Sequence, residues 1–183
     1  MPTYEELQAF VQDIASSDNI VLAARANKVL GVKPPEFDPK SITMLPYFGR
    51  YNDEGYIENE LTVMAINYGS VAIECVINHI SEYGVVDGWD EFVVPLGSLD
   101  HPESSDIRKQ FLERQLILVE NSNRLAYRLL NALAYVGGDY VDTLKAFVNK
   151  WKDNPAMAKS IVDQAQLMIT SSTMKKSDVR WSF

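Results

Sequence analysis

The chain has 183 residues, 17 Lys/Arg and 25 Asp/Glu, for a formal net charge of −8. That length suits one domain with a sizeable core, and the acidic balance argues against nonspecific nucleic-acid binding by the whole surface. A single cysteine, Cys75, excludes an internal disulfide framework.

Thr3 followed by Glu6 makes a capping box, and Leu7, Phe10, Val11 and Ile14 then share one face of a first helix. Ser16 to Asn19 interrupt it. A second helix is expected from about Ile20 to Leu30, with Gly31 as its stop. Pro34, Pro35, Pro39 and Pro46 exclude a regular helix over 32–56. Phe37, Tyr47, Phe48, Tyr51 and Tyr56 make that loop aromatic, so it either wraps its own core or docks on a neighbouring subunit.

The spacing predicts a third helix over about 57–83. Glu60, Asn67, Glu74 and Ser81 form a narrow polar stripe among Leu61, Met64, Ile66, Val71, Ile73, Val76, Ile77 and Ile80. A helix apolar on most sides is a central one. Gly69 and Ser70 would let another helix come close. Glycines and prolines break up 84–104, where Phe92 to Val94 allow at most a short strand near 91–94.

A fourth helix is expected over about 106–136, capped by Ser104 or Ser105. Phe111, Leu112, Leu118, Val119, Leu125, Leu129, Leu130, Leu133 and Val136 lie on one side of it. As a single rod it would be about 45 Å long. Gly137-Gly138 ends it and Asp139 can cap a fifth helix with Val141, Leu144, Val148 and Trp151 inward. Asn154-Pro155 opens a sixth, carrying Ile161, Ala165 and Met168. The expected fold is all-α: about six helices around a central pair, 57–83 and 106–136. Residues 1–170 would form a single helical domain and 171–183 a basic, aromatic tail.

Few residues point to chemistry. Cys75 and His79 share a helix face, but a metal site needs further ligands, and apolar neighbours favour a packed thiol and imidazole. As nucleophile and base they would lack room for substrate. His101 falls in a turn and reads as exposed. Gly137-Gly138-Asp139 lacks the lysine and hydroxyl of a phosphate loop. No catalytic residue, cofactor or metal site is expected.

The charges are segregated along the chain. Residues 1–106 carry five Lys/Arg and 18 Asp/Glu, a net of −13; residues 107–183 carry 12 and seven, a net of +5. On one long helix Arg114, Asn121, Arg124 and Arg128 would form a basic stripe within about 80°. It is either a solvated helix face with Glu113 and Glu120 nearby, or it meets acidic residues of the N-terminal half within one chain or across subunits, or it lines a groove for a nucleic-acid backbone with Tyr127 or Tyr135 stacking. Lys175, Lys176 and Arg180 add a second basic group before Trp181 and Phe183, rings that either fold back on the core or dock on a partner or an adjacent subunit.

The leading expectation is a non-enzymatic, self-assembling structural protein, coat- or nucleocapsid-like. It would associate through its acidic and basic halves. Phe37, Tyr47, Phe48, Tyr51, Trp181 and Phe183 are the candidate subunit contacts, and nucleic acid is a candidate further partner. An acidic regulator that binds one protein is the alternative, and a small helical enzyme the second. The first residues do not read as a signal peptide. The apolar run 61–80 is interrupted by Asn67, Glu74 and Asn78, so no membrane span is expected. The protein would be cytoplasmic or part of a viral particle.

Overall fold

The computed structural model describes residues 2–40, 54–83 and 89–177, and the side chains of all these except 54–56, 83, 89 and 173–177. Every regular element among the described residues is helical. The chain forms two compact units. One comprises residues 1–95 with 99–104, the other 96–98 with 105–183.

Unit 1 begins with α1 (Tyr4–Ala15) and α2 (Ile20–Val29). The Thr3 hydroxyl accepts the Glu6 amide, and the Glu6 carboxylate accepts the Thr3 amide at 2.8 Å. Asn19 caps α2 by accepting the Leu22 amide. At its other end Gly31 adopts φ +71°. The Gly31 amide then reaches the Lys28 carbonyl and the Val32 amide the Asn27 carbonyl. These two bonds make a Schellman stop, which favours a residue free to enter the left-handed region.

The expected helix over 57–83 is two helices, α3 (Glu54–Tyr68) and α4 (Ser70–Tyr83). Gly69 sits between them at φ +68°, with open space where a side chain would be. It therefore breaks the helix instead of admitting a neighbour. Leu61, Met64, Ile73, Val76, Ile77 and Ile80 are buried as their spacing predicts, while Val71 is exposed. Within the unit α1 packs on α2, α2 on α3, and α3 on α4. The aromatic loop is described only to Lys40, so Tyr47, Phe48 and Tyr51 lie outside the described residues.

The short strand expected near 91–94 is absent. Trp89–Phe92 forms a 3-10 turn and Val93–Ser98 a short helix, α5. Pro95 is tolerated because it falls in the first turn, where amides have no helical acceptor. Phe92, Val93 and Leu96 are buried. Burial of the apolar run thus overrides its β-propensity.

Unit 2 holds α6 (Ser105–Leu118), α7 (Asn123–Val136), α8 (Val141–Trp151) and α9 (Lys159–Ser177). The single rod expected over 106–136 is divided: residues 119–122 form a turn and Ser122 caps α7 by accepting the Leu125 amide at 3.1 Å. Packing closes a ring: α6 on α7, α7 on α9, α9 on α8 and α8 on α6. Phe111, Leu112, Leu116, Leu129, Leu130, Leu133, Leu144, Phe147, Ile161 and Ala165 fill it. Asp139 accepts the Val141 amide at the start of α8. Asn154 does not cap α9; it accepts the Ala156 amide, and the helix opens at Lys159. Residues 171–177, expected in the tail, continue α9.

Candidate functional site

The basic stripe drawn on one long helix is not a single-helix feature. Arg114 lies on α6, Asn121 in the turn, and Arg124 and Arg128 on α7. Arg114, Asn121 and Arg124 are exposed and Arg128 is half-buried. A tighter grouping replaces the stripe. At about 100° per residue Arg124, Tyr127, Arg128 and Tyr135 occupy one sector of α7. Tyr127 and Tyr135 are exposed there, and Ile117 and Leu118 are exposed at the end of α6.

Lys175 and Lys176 fall on the last turns of α9, with side chains outside the description. Arg180, Trp181 and Phe183 lie outside the described residues. Phe37 is half-buried in unit 1, its ring 5.0 Å from that of Tyr68 at 43°.

Unit 1 presents an acidic face with an apolar row. No residue of α1 is buried. Tyr4 is 80% exposed, Phe10 61% and Leu7 49%. Leu7 and Phe10 belong to the face whose spacing predicts a core-facing helix, the other two members of which, Val11 and Ile14, are half-buried, and Glu5, Glu6 and Asp13 stand beside them. The charge boundary read at 106/107 also acquires a structural meaning. Unit 1 holds five Lys/Arg and 17 Asp/Glu, a net of −12; unit 2 holds 12 and eight, a net of +4.

Three interior polar arrangements escaped the sequence reading. Arg108 on α6 is 3% exposed, and its Nη1 donates to the carbonyls of Leu96 at 2.6 Å and Gly97 at 3.3 Å. A guanidinium is well matched to carbonyls at a helix end, where partial negative charge collects. No spacing rule would single out this arginine from the others on α6.

His101, expected to be exposed, is part-buried instead. Its Nδ1 lies 3.0 Å from Ser104 Oγ and its Nε2 3.4 Å from a Glu103 carboxylate oxygen. Ser104 is fully buried and also donates to the His101 carbonyl. These bonds hold the turn before α6 closed, which is structural work for the hydroxyl. Cys75 is a half-buried free thiol. Among the described residues no three His, Cys, Asp or Glu side chains gather closely enough to hold a metal ion, and no helix is long and apolar enough to cross a membrane.

The third arrangement is a groove in unit 2 of about 650 Å³, at the turn between α8 and α9. Val148, Trp151, Met157 and Val162 give it apolar walls; Lys152, Asp153, Lys159 and Asp163 give it charge of both signs. Trp151 is 4% exposed, and its indole N–H is the one buried side-chain polar group without a partner among the described residues. Such a donor costs about 1–3 kcal/mol while it stays unsatisfied. The Lys150 ammonium lies 4.9 Å from the indole centroid and donates to the carbonyls of Ile117 and Val119. It thereby ties α8 to the end of α6.

Comparison with known proteins found no matching family model, curated protein or solved structure. The surfaces themselves therefore carry the functional reading.

Proposed function

We propose that the protein is a non-enzymatic structural subunit that associates with copies of itself, the acidic unit of one meeting the basic unit of the next. The observation that carries this reading is the opposite charge of the two folded units, −12 and +4. Each unit also offers apolar groups among its charges: Tyr4, Leu7 and Phe10 on one, Ile117, Leu118 and Tyr127 on the other. Charge of opposite sign speeds encounter and selects the partner, while apolar burial supplies most of the affinity. A contact between unlike patches repeats from copy to copy and builds rings or filaments. A coat- or nucleocapsid-type subunit is a protein of this kind.

A second reading rests on the outer sector of α7. Arg124 and Arg128 interleaved with Tyr127 and Tyr135 pair cations with stacking surfaces, as single-stranded nucleic acid requires. Nucleic acid would then be a further partner of the assembly. Light scattering on purified protein across a salt series, with absorbance at 260 and 280 nm, tests both readings. Assemblies that loosen as salt rises are expected, because screening shortens the reach of exposed charges to about 10 Å at 0.1 M. A monomer at every salt concentration overturns the proposal. A 260 nm excess removed by nuclease supports the second reading, and its absence ends it.

A further inference from the structure

We propose that a single strand of nucleic acid lies along α7 and turns one base into a cavity between Tyr140 and α9, an inference that rests on the nucleic-acid reading of the α7 sector. The cavity, of about 220 Å³, is lined by Tyr140, Gln164, Leu167, Met168, Ser171 and Ser172. Gln164 also donates to Asn131 Oδ1 on α7 at 3.1 Å. At about 100° per residue Asn131 falls inside the sector that holds Arg124, Tyr127, Arg128 and Tyr135. It stands one helical turn from each tyrosine, about 6 Å along the axis. A hydrogen bond therefore joins the cavity wall to the row of cations and rings.

Charge, rings and cavity size select the occupant. Unit 2 carries a net charge of +4, and Arg124 and Arg128 bring cations to the sector, which complements a phosphate backbone. Tyr127 and Tyr135 are exposed rings on which bases can stack. The cavity is smaller than the roughly 300–1,000 Å³ of clefts that enclose a whole ligand, so it suits one ring carried by a larger molecule. Its lining matches a nucleobase in kind. Tyr140, Leu167 and the polarisable Met168 suit the flat face, while an amide and two hydroxyls suit the polar edge. The bond to Asn131 uses one donor of the Gln164 amide. An amide has a second donor and an acceptor oxygen, the pair that a base edge answers.

The test follows the Met168 methyl signal by NMR in the full chain, assigned through Met168→Leu. A single-stranded oligodeoxyadenylate of about 12 nucleotides, a length typical of single-strand sites, is expected to shift it to saturation. An abasic strand of equal length keeps the phosphates. It is expected to bind more weakly and to leave Met168 unmoved. Gln164→Ala is expected to weaken binding of the oligodeoxyadenylate about 3- to 10-fold, the worth of one hydrogen bond, and to leave the affinity for the abasic strand unchanged. A merely structural loss of the Asn131 bond would not separate the two strands. Binding with an unmoved Met168 signal overturns the cavity and leaves the α7 reading standing; so does an abasic strand that moves the signal equally. Trp181→Ala with Phe183→Ala, without nucleic acid, is expected to leave the signal in place. A shift there would give the cavity to the end of the chain itself and overturn the proposal. Failure of both strands to bind at low salt removes the cavity and the α7 reading together.

Discussion

The two units differ in what they do with their apolar residues. In unit 2 the helices close a ring, and the predicted inward faces of α6 to α9 are largely buried. In unit 1 the first helix is correctly capped and correctly patterned, yet buries none of its side chains. An amphipathic pattern says which face seeks cover; it does not say that the same unit supplies the cover. Placing unsatisfied apolar surface on the acidic unit is what makes an intermolecular contact the natural reading.

If unit 2 is the well-packed partner, lesions in its interior should be the costliest. Arg108→Met removes a buried guanidinium together with its hydrogen bonds to the Leu96 and Gly97 carbonyls. A loss of about 3 kcal/mol is expected, since a bond to a charged group contributes roughly 1.5–3 kcal/mol. Denaturant unfolding followed by circular dichroism measures it. A midpoint within error of the parent would mean that the burial of Arg108 is not an organising feature of the unit.

Gly97→Ala is next. A Cβ there would stand 2.5 Å from both Cα and O of Ala132, which are backbone atoms that no rotamer change can move aside. α5 would have to separate from α7, with an expected loss of about 1–3 kcal/mol. Gly97→Ala should therefore lower the melting temperature, and an unchanged one would refute the close approach. Gly69 gives the contrast within unit 1: its constraint is the backbone angle, because nothing crowds it.

Thr3→Ala probes the other unit. It removes the hydroxyl that accepts the Glu6 amide, at an expected cost of about 1 kcal/mol to α1. Because α1 contributes no buried side chain, that cost should stay local. Hydrogen exchange should speed up for α1 amides and stay unchanged for α6 to α9. Faster exchange throughout would show that the two units unfold as one and blur the contrast between them.

How far the sequence revealed this organisation follows from what each signal measures. The capping box at Thr3 and Glu6 and the Gly31 stop were legible because they are local bonds within four or five residues. The inward faces of α7 and α8 were legible because burial repeats every three to four residues. The breaks at Gly69 and 119–122 were not. Hydrophobic period runs on across both, and the local cues had to outweigh it: one glycine in the first case, and in the second the poor helix formers Asn121, Ser122 and Asn123. Reading through the second break also placed Arg114 on the same rod as Arg124 and Arg128. The charge boundary at 106/107 falls within two residues of a unit boundary at 104/105. Arg108, Ser104 and the unpartnered Trp151 N–H depend on contacts that only the folded chain creates.

The smallest expected effect on stability is the sharpest test of the contrast. Leu7→Ser with Phe10→Ser replaces two half- or mostly exposed apolar residues of α1 by polar ones, leaving Thr3 and Glu6 in place. If the α1 face is open in the isolated subunit, unfolding measured at low concentration should change by no more than about 0.5 kcal/mol, as for surface substitutions in general. If it docks on the basic unit of another copy, the same pair should weaken self-association strongly, because hot-spot rings at a contact carry more than their share of affinity. Sedimentation at matched salt would show this as a shift toward monomer. A destabilised monomer would instead mean that another part of the same chain covers the face. Unchanged stability with unchanged association would leave α1 without a role in assembly, and the basic unit would have to meet the acidic one elsewhere.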